Sequence, residues 1–141
     1  MNSDLTVALH ILGCLTCCSG VMNSEHLAKT YGTNPVVVRR VLSKLRKAGL
    51  VETRCGSGGG SVLARSPSSI NLRQVYEAVS EKTELLRRHP GKESPVAEVL
   101  ADFINDFYTE AEEALLKKLE SGTIEEMDQQ VRPKILAVLG D

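Results

Sequence analysis

The chain lacks any Lys or Arg before Lys29, and this absence decides how its apolar run at residues 5–18 is interpreted. A secretory signal peptide carries positive charge ahead of its apolar core, whereas here Asp4 occupies that place. The run is also too short to cross a bilayer comfortably. We therefore expect a cytoplasmic protein without a membrane partner, in which thiols stay reduced and no disulfide framework forms.

Residue patterns that support catalysis are missing as well. The three histidines, His10, His26 and His89, are scattered along the chain and are predicted to have no carboxylate or cysteine partner at a ligand spacing. The sequence contains no Ser/His/Asp arrangement, no paired carboxylates and no nucleotide-binding fingerprint. The chain is therefore predicted not to be an enzyme.

The net charge of −1 hides an asymmetry between the two halves of the chain. Residues 1–65 hold eight Lys and Arg against three acids, a net charge of +5, and the remainder carries −6. The composition, 42% hydrophobic and 25% charged, is that of a globular protein, and the length of 141 residues predicts one ordinary domain, or one small domain with an appendage. A basic front half and an acidic back half fit a nucleic-acid-binding module joined to a separate interaction module.

Three helices are predicted in the first half of the chain. Residues 3–18 form a helix that is apolar nearly all round, so it must be covered by two modules or two subunits. A short second helix runs from Ser24 to Tyr31. Asn34 suits the N-cap of a third helix, and Pro35 suits its first helical position.

The third helix has two chemically distinct faces. Its predicted buried face follows helical spacing and consists of Val38, Val41, Leu42, Leu45 and Ala48. Its opposite face carries Val36, Arg40, Ser43 and Lys47, flanked by Arg39 and Lys44. Between residues 34 and 48 there are five basic residues and no acid, so the helix repels itself unless an anionic partner relieves it. A solvated basic face without a partner is the alternative.

A glycine-tipped hairpin is predicted after Gly49, which ends the third helix. Residues 50–54 and 61–65 read as two short strands around Cys55-Gly56-Ser57-Gly58-Gly59-Gly60. A phosphate-binding loop would lead directly into a helix, but the next predicted helix begins only after residues 67–69. The hairpin therefore fits a β-wing, and the predicted fold class is mainly α with a small β-wing: a winged helix-turn-helix domain plus a long dimerisation helix.

The rest of the chain is predicted to be helical. A fourth helix covers residues 70–79, and a polar linker covers 81–93. A long helix then runs from Ser94 to about Glu120, and a final helix over 123–139 is interrupted near Pro133. One side of the long helix carries Val96, Leu100, Phe103, Ile104, Phe107, Ala111 and Leu115. A two-fold dimer would cover this side, and folding back on its own domain is the alternative.

The predicted domains are accordingly a winged helix-turn-helix DNA-binding domain at 1–80, the linker at 81–93 and a helical dimerisation region at 94–141. The sequence resembles the bacterial Rrf-two family of winged-helix transcription regulators. The residues that carry the resemblance are Leu27-Ala28, the stretch 45–51, the wing glycines and the stretch 70–79. The run 34–40 looks like the cluster-free branch of the family.

The resemblance implies a homodimeric repressor that binds a palindromic operator in double-stranded DNA, with the third helix in the major groove and the wing tip near the minor groove. Base or groove contacts would come from Val36, Arg39, Arg40 and Ser43, and phosphate contacts from Lys44 and Lys47. The remaining predicted DNA-binding residues are Ser24, Asn34, Arg54, Gly56, Ser57, Gly58 and Gly59.

One departure from the family concerns cofactors. Cluster-binding relatives place three cysteines between the fourth and fifth helices, and residues 80–100 of this chain contain none. The comparison therefore predicts no iron–sulfur cluster and no obligatory cofactor. Neither the operator nor a small-molecule effector can be named from the sequence.

The cysteines leave an alternative open. Cys14, Cys17 and Cys18 have the i, i+3 and i+4 spacing that suits a soft metal or a redox pair, and Cys55 precedes the wing tip. A structural zinc usually needs four ligands from two such pairs, so no metal site is predicted and buried apolar cysteines are favoured. Two other functions remain: a thiol-based redox-sensing regulator that uses these cysteines, and a winged-helix module whose basic helix docks an acidic protein.

Overall fold

A computed structural model describes residues 3–17, 20–81 and 85–140. This part of the chain is mainly helical with one two-stranded antiparallel sheet, which confirms the predicted fold class. Its elements, with a short 3-10 turn at Pro67–Ser69 between β2 and α4, are α1 Asp4–Cys17, α2 Ser24–Tyr31, α3 Pro35–Lys47, β1 Val51–Arg54, β2 Gly60–Leu63, α4 Leu72–Val79, α5 Pro95–Glu120 and α6 Ile124–Leu139.

Local sequence sets the ends of the helix-turn-helix. The side-chain oxygen of Asn34 accepts hydrogen bonds from the backbone N–H groups of Val36 and Val37, at 3.0 and 3.2 Å, and so caps α3 as predicted. Gly32 (φ 95°) ends α2 and Gly49 (φ 75°) follows α3, both in the left-handed region that favours glycine. The turn between α2 and α3 therefore lies between the left-handed Gly32 and the N-cap Asn34.

Helix α1 lies at the centre of the core. It packs against α2, α3, α4, α6 and β2, so its apolar sequence is covered on several sides, as predicted. The fully buried large side chains of the core are Ile11, Leu12, Leu27, Leu45, Leu50, Ile70, Ile124, Val7, Val38, Val41, Val75 and Val79. Covering α1 requires no second subunit, because α6 of the same chain supplies one side.

Helix α6 returns to the winged unit after α5. Ile124 is fully buried in the common core, and its backbone N–H donates to the carbonyl of Ile70 at 2.9 Å. Thr123 forms an antiparallel bridge with Asn71. The predicted interruption near Pro133 is wrong: α6 continues through it, because a proline removes one hydrogen bond without ending every helix. The core of residues 1–80 is therefore shared with α6, while the predicted domain boundaries stay a prediction.

The hairpin differs from its prediction by small shifts. Val51 pairs with Leu63, and Arg54 pairs with Gly60, so β2 begins one residue earlier than predicted and ends two residues earlier. A Cβ at Gly60 would lie 2.4 Å from the carbonyl oxygen of Met22, which requires glycine at this close approach. The hairpin is thus seated against the connection between α1 and α2.

Four of the five residues predicted to line the buried face of α3 are buried, and Ala48 is exposed. The helix ends at Lys47, and Ala48 is its C-cap. The helical spacing that placed Ala48 on the buried face therefore no longer applies at that position.

Candidate nucleic-acid interface

The side of α3 opposite its buried face is open to solvent. Val36, near the start of the helix, is 67% exposed, and Arg40 and Lys47 are also exposed. Ser43, between them on the same face, is half-buried. These four residues form the surface that the helical spacing predicted, and we call them the open face of α3.

Arg39 lies at one flank of the open face and connects α3 to α2. Its Nε donates to the hydroxyl oxygen of Ser24 at 3.2 Å, and its Nη2 lies 3.6 Å from Glu25. Two predicted DNA-binding residues, Ser24 and Arg39, are therefore adjacent in the structure although 15 positions separate them. The exposed guanidinium keeps further N–H donors for a ligand.

Arg40 and Lys44 share one carboxylate from the first turn of α1. Arg40 Nη2 lies 2.7 Å from Asp4 Oδ1, and Lys44 Nζ lies 2.8 Å from Asp4 Oδ2. Lys44 also donates to the carbonyl of Val79 at 3.4 Å and lies 3.9 Å from Glu81. Lys44 is thus engaged on several sides by the protein itself, whereas Arg40 is held at one edge.

Asp4 is only 5% exposed, and its charge depends on these partners. Burial works to raise the pKa of this carboxyl, but the hydrogen bonds from Lys44 and Arg40 outweigh it and the pKa is lowered. The sequence analysis did not assign Asp4 any role at the site. The available signal was an acid at the start of an otherwise apolar, buried helix, since a buried carboxylate needs a cation partner.

The acids of the basic half repeat this arrangement. Residues 1–65 contain three acids, and each lies against a residue predicted to contact DNA: Asp4 as described, Glu25 beside Arg39, and Glu52 3.6 Å from Arg54. The Glu25 and Glu52 pairs are exposed, so water and salt screen them strongly. The Asp4 cluster differs because its carboxylate is buried.

The wing tip combines exposure with a narrow backbone. Gly56 (φ 96°) and Gly58 (φ 79°) adopt left-handed conformations, and Ser57 between them is exposed. A Cβ at Gly59 would lie 2.3 Å from the carbonyl oxygen of Arg54. Glycine at these positions therefore allows a tight tip whose backbone can approach another molecule closely.

Cys14 has partners that the sequence analysis did not foresee. Its Sγ lies 3.5 Å from His10 Nε2 and 3.8 Å from Thr30 Oγ1. The prediction that no histidine has a cysteine partner is therefore wrong for His10, because residues four apart on a helix meet on one face. Burial raises the pKa of the Cys14 thiol and lowers the pKa of His10, so both groups favour their neutral forms. A neutral thiol is a poor nucleophile.

The other cysteines are dispersed. Cys17 is buried, Cys55 is exposed at the base of the wing tip, and Cys18 lies outside the described residues. Within residues 3–17, 20–81 and 85–140, no three His, Cys, Asp or Glu side chains are grouped so that they could hold a metal ion. A redox role for the cysteines stays a prediction.

An exposed basic helix and a glycine wing on one helix-turn-helix unit define a DNA-binding regulator of the winged-helix class. The chain belongs to the Rrf2 family, whose description is "Iron-dependent Transcriptional regulator" and whose model matches residues 1–130. The sequence resemblance to this family is confirmed. The chain is thus a transcriptional regulator and not an enzyme.

Individual relatives agree with this assignment. YwnA of Bacillus subtilis, named as an HTH-type transcriptional regulator, is 34% identical over 129 residues, which cover 90% of this chain and 96% of that protein. A crystal structure described as a DNA-binding protein superposes with a TM-score of 0.74 at 30% identity, over 89% of this chain and 98% of the other. CymR, the global cysteine regulator of B. subtilis, shares the fold at a TM-score of 0.68 and 23% identity, over 92% of this chain and 96% of its own.

The family description names iron, and the absence of an iron–sulfur cluster from this chain stays a prediction. Thiolates are the usual cluster ligands. The described cysteines lie in α1 and at the wing, and residues 80–100 contain none. We assign no iron-dependent step to this chain.

None of the helices in the described part of the chain is long and apolar enough to cross a membrane.

Proposed function

We propose that this regulator is a cytoplasmic homodimer that represses transcription by binding a palindromic operator in double-stranded DNA. The observation that carries the proposal is the open face of α3. The opposite face packs on the core through its four buried residues, while the open face presents Arg40 and Lys47 to solvent. The major groove of B-DNA admits an α-helix, and its phosphates supply the anionic partner that a basic helix needs.

The residues of α3 divide by the chemistry they offer. Val36 suits apolar contact with a thymine methyl group, and Arg39 and Arg40 suit guanine edges. Each bidentate arginine–guanine contact is worth about 1–3 kcal/mol of discrimination. The Ser43 hydroxyl can hydrogen-bond to a donor or an acceptor group on a base edge, and the Lys47 ammonium is placed to contact a phosphate.

Two further regions extend the proposed contact surface. Arg54 and residues 56–58 are exposed at the wing and Gly59 is half-buried, and glycine here permits close approach to the DNA backbone. Ser24 lies beside Arg39 and would position it. The side-chain oxygen of Asn34 caps α3, so a DNA contact by Asn34 falls to its amide NH₂ group.

Helix α5 supplies the argument for the homodimer. A row of large apolar side chains lies exposed along it, comprising Val96, Val99, Leu100, Phe103 and Phe107. The rings of Phe103 and Phe107 stack with centroids 6.1 Å apart. An exposed apolar surface of this kind marks an interaction site. A two-fold copy would bury the same row in both chains and place two α3 helices on half-sites about one helical turn apart.

Selection of bound fragments from sheared host DNA by purified, reduced protein tests the proposal. We expect sequencing to show enrichment of one palindrome, with affinity falling on the order of a thousandfold between about 50 and 200 mM salt if roughly six phosphates are contacted. Uniform, salt-sensitive recovery would contradict sequence-specific binding. Absence of any DNA binding at low salt would favour the alternative of a protein-interaction module.

Sedimentation velocity on the same sample tests the dimer. We expect a single species of twice the chain mass at micromolar concentration. A monomer that still selects a palindrome would contradict the α5 interface and leave the DNA-reading helix in place.

A further inference from the structure

Asp4 is the buried member of the three acids that face predicted DNA contacts. Its two carboxylate oxygens are taken by two different cations of α3, Arg40 on Oδ1 and Lys44 on Oδ2. The acid comes from α1, 36 and 40 positions away in sequence. The packing of α1 on α3 therefore places a fixed negative charge beside the helix proposed to read DNA.

The two lysines of α3 consequently differ although they are three positions apart. Lys44 is 24% exposed in its side chain and is surrounded by Asp4, the carboxylate of Glu81 and the carbonyl of Val79. Lys47 is exposed on the open face. The charge of Lys44 is largely compensated within the protein, whereas Lys47 remains available to a phosphate.

Arg40 is held but not covered. One of its terminal nitrogens bonds to Asp4, and its side chain is 52% exposed. A guanidinium carries five N–H donors, so the remaining donors can still face base edges. A buried carboxylate on one edge of the group restricts its orientation and lowers the entropy lost when it binds.

We propose that Asp4 is a positioning residue that determines DNA specificity: it orients Arg40 toward bases and withholds Lys44 from phosphates. The inference deepens the proposed function and rests on α3 being the DNA-reading helix. Non-specific affinity comes almost entirely from neutralised phosphates. A cation held by the protein therefore weakens binding to any duplex, while an oriented arginine retains its preference for the correct bases.

The first arm of the test replaces Asp4 and measures binding to DNA that has no operator. Fluorescence anisotropy of Asp4→Asn with a mixed-sequence duplex is recorded over a range of salt concentrations. For each chain of the dimer, we expect the slope of log affinity against log salt to steepen by about one, and the affinity near 0.1 M salt to rise about five- to tenfold. The ratio of operator affinity to mixed-sequence affinity should fall.

The second arm does not depend on the folding of the Asp4 variant. Lys44→Gln should leave the slope of log affinity against log salt on the mixed-sequence duplex unchanged. Lys47→Gln should make that slope shallower by about one per chain. Glu25→Gln is the matched control for Asp4→Asn, because its ion pair with Arg39 is exposed (the Glu25 side chain is 74% exposed) and already screened. We expect that variant to keep the wild-type slope.

The outcomes separate this inference from the proposed function. A folded Asp4→Asn protein with the wild-type slope and affinity overturns the inference, and so does a Lys44→Gln protein that loses as much slope as Lys47→Gln. Both results leave DNA reading by α3 intact. Failure of the wild-type protein to bind the mixed-sequence duplex at low salt contradicts the proposed function instead.

Discussion

Helices α3 and α5 each pack one face against the rest of the chain and expose the other. The exposed face is polar in α3 and apolar in α5. The inner face of α3 is apolar, and its open face is polar and basic. The open face of α5 is apolar, with Phe103 71% exposed. Exposure marks both faces as candidate interaction surfaces. The chemistry of each surface indicates its partner, an anion for α3 and an apolar surface for α5.

The inner face of α5 explains why its apolar row points outward. Glu112 accepts hydrogen bonds from the backbone N–H groups of Leu85 and Leu86 and pairs with Arg88. Asn105 bonds to the backbone N–H and carbonyl of His89. The segment after α4 thus binds the polar side of α5 through directed hydrogen bonds, so its apolar side faces away from the rest of the chain.

The largest expected effect comes from placing a charge in the apolar row of α5. Phe103→Asp should raise the dimer dissociation constant about 10²- to 10⁴-fold, because each of two copies loses about 1.5–3 kcal/mol of burial. Sedimentation velocity measures the change. Thr109→Asp adds the same charge on an exposed flank of α5 and should leave the dimer unchanged. A stable Phe103→Asp dimer would contradict the proposal that the apolar row of α5 forms the dimer interface.

A smaller effect is expected on the open face of α3. Arg40→Ala should weaken operator binding by about five- to 150-fold per half-site, the equivalent of about 1–3 kcal/mol, while the dimer and the fold stay intact. Arg46→Ala is the matched control, since it removes the same charge from the flank of α3, where Arg46 lies 3.4 Å from Thr53. Equal losses in the two variants would mean that the helix contributes charge but no base reading.

Stability against pH should reveal the Asp4 cluster. The pKa of Asp4 is lowered in the folded state, so its contribution is present above its ordinary value of 3.8 and is lost as pH falls through the lowered value. At pH 7 we expect Asp4→Asn to reduce the free energy of unfolding by about 1–2 kcal/mol, a figure discounted for the half-exposed Arg40. Urea titrations of both proteins should converge in acid. A difference that is independent of pH would show that the carboxylate charge is not stabilising.

The smallest expected effect separates capping from DNA contact. Asn23 is the N-cap of α2 and accepts one backbone hydrogen bond, while Asn34 is the N-cap of α3 and accepts two; each Asn→Ala change should cost about 1 kcal/mol of stability. Chemical denaturation should therefore give similar losses. Only Asn34→Ala should also lower operator affinity, measured by anisotropy, because Asn34 begins the open helix. If Asn23→Ala and Asn34→Ala bound the operator with the same affinity, Asn34 would act as a helix cap and not as a DNA contact.

Much of the winged unit could be predicted because its signals are local. The cap at Asn34, the left-handed Gly49 and the apolar spacing of Val38 to Leu45 all act within a few residues. Helical spacing was misleading at Ala48, where the helix had already ended. The prediction that no histidine has a cysteine partner was wrong for His10, because Cys14, four residues later, lies on the same helical face.

The contacts that define the electrostatics of the interface could not be predicted in the same way. Asp4 meets Arg40 and Lys44 only because α1 docks across α3. The exposed face of α5 could be proposed from its pattern, but not the hydrogen-bonded segment that covers its other side. Such contacts depend on how helices pack, and the residue spacing within one helix carries no information about that packing.

The sequence by itself determined the class of this protein, because a capped basic helix and a glycine hairpin require specific residue types at fixed local spacings. It also determined the sign of the charge on α3. Only the tertiary structure decided which of those charges lie against an acid of the protein, since Asp4 pairs with Lys44 from α1, 40 positions away in the sequence. It also decided that α6 completes the core around α1. Burial and ion pairing are properties of packed elements, and they arise only when those elements meet.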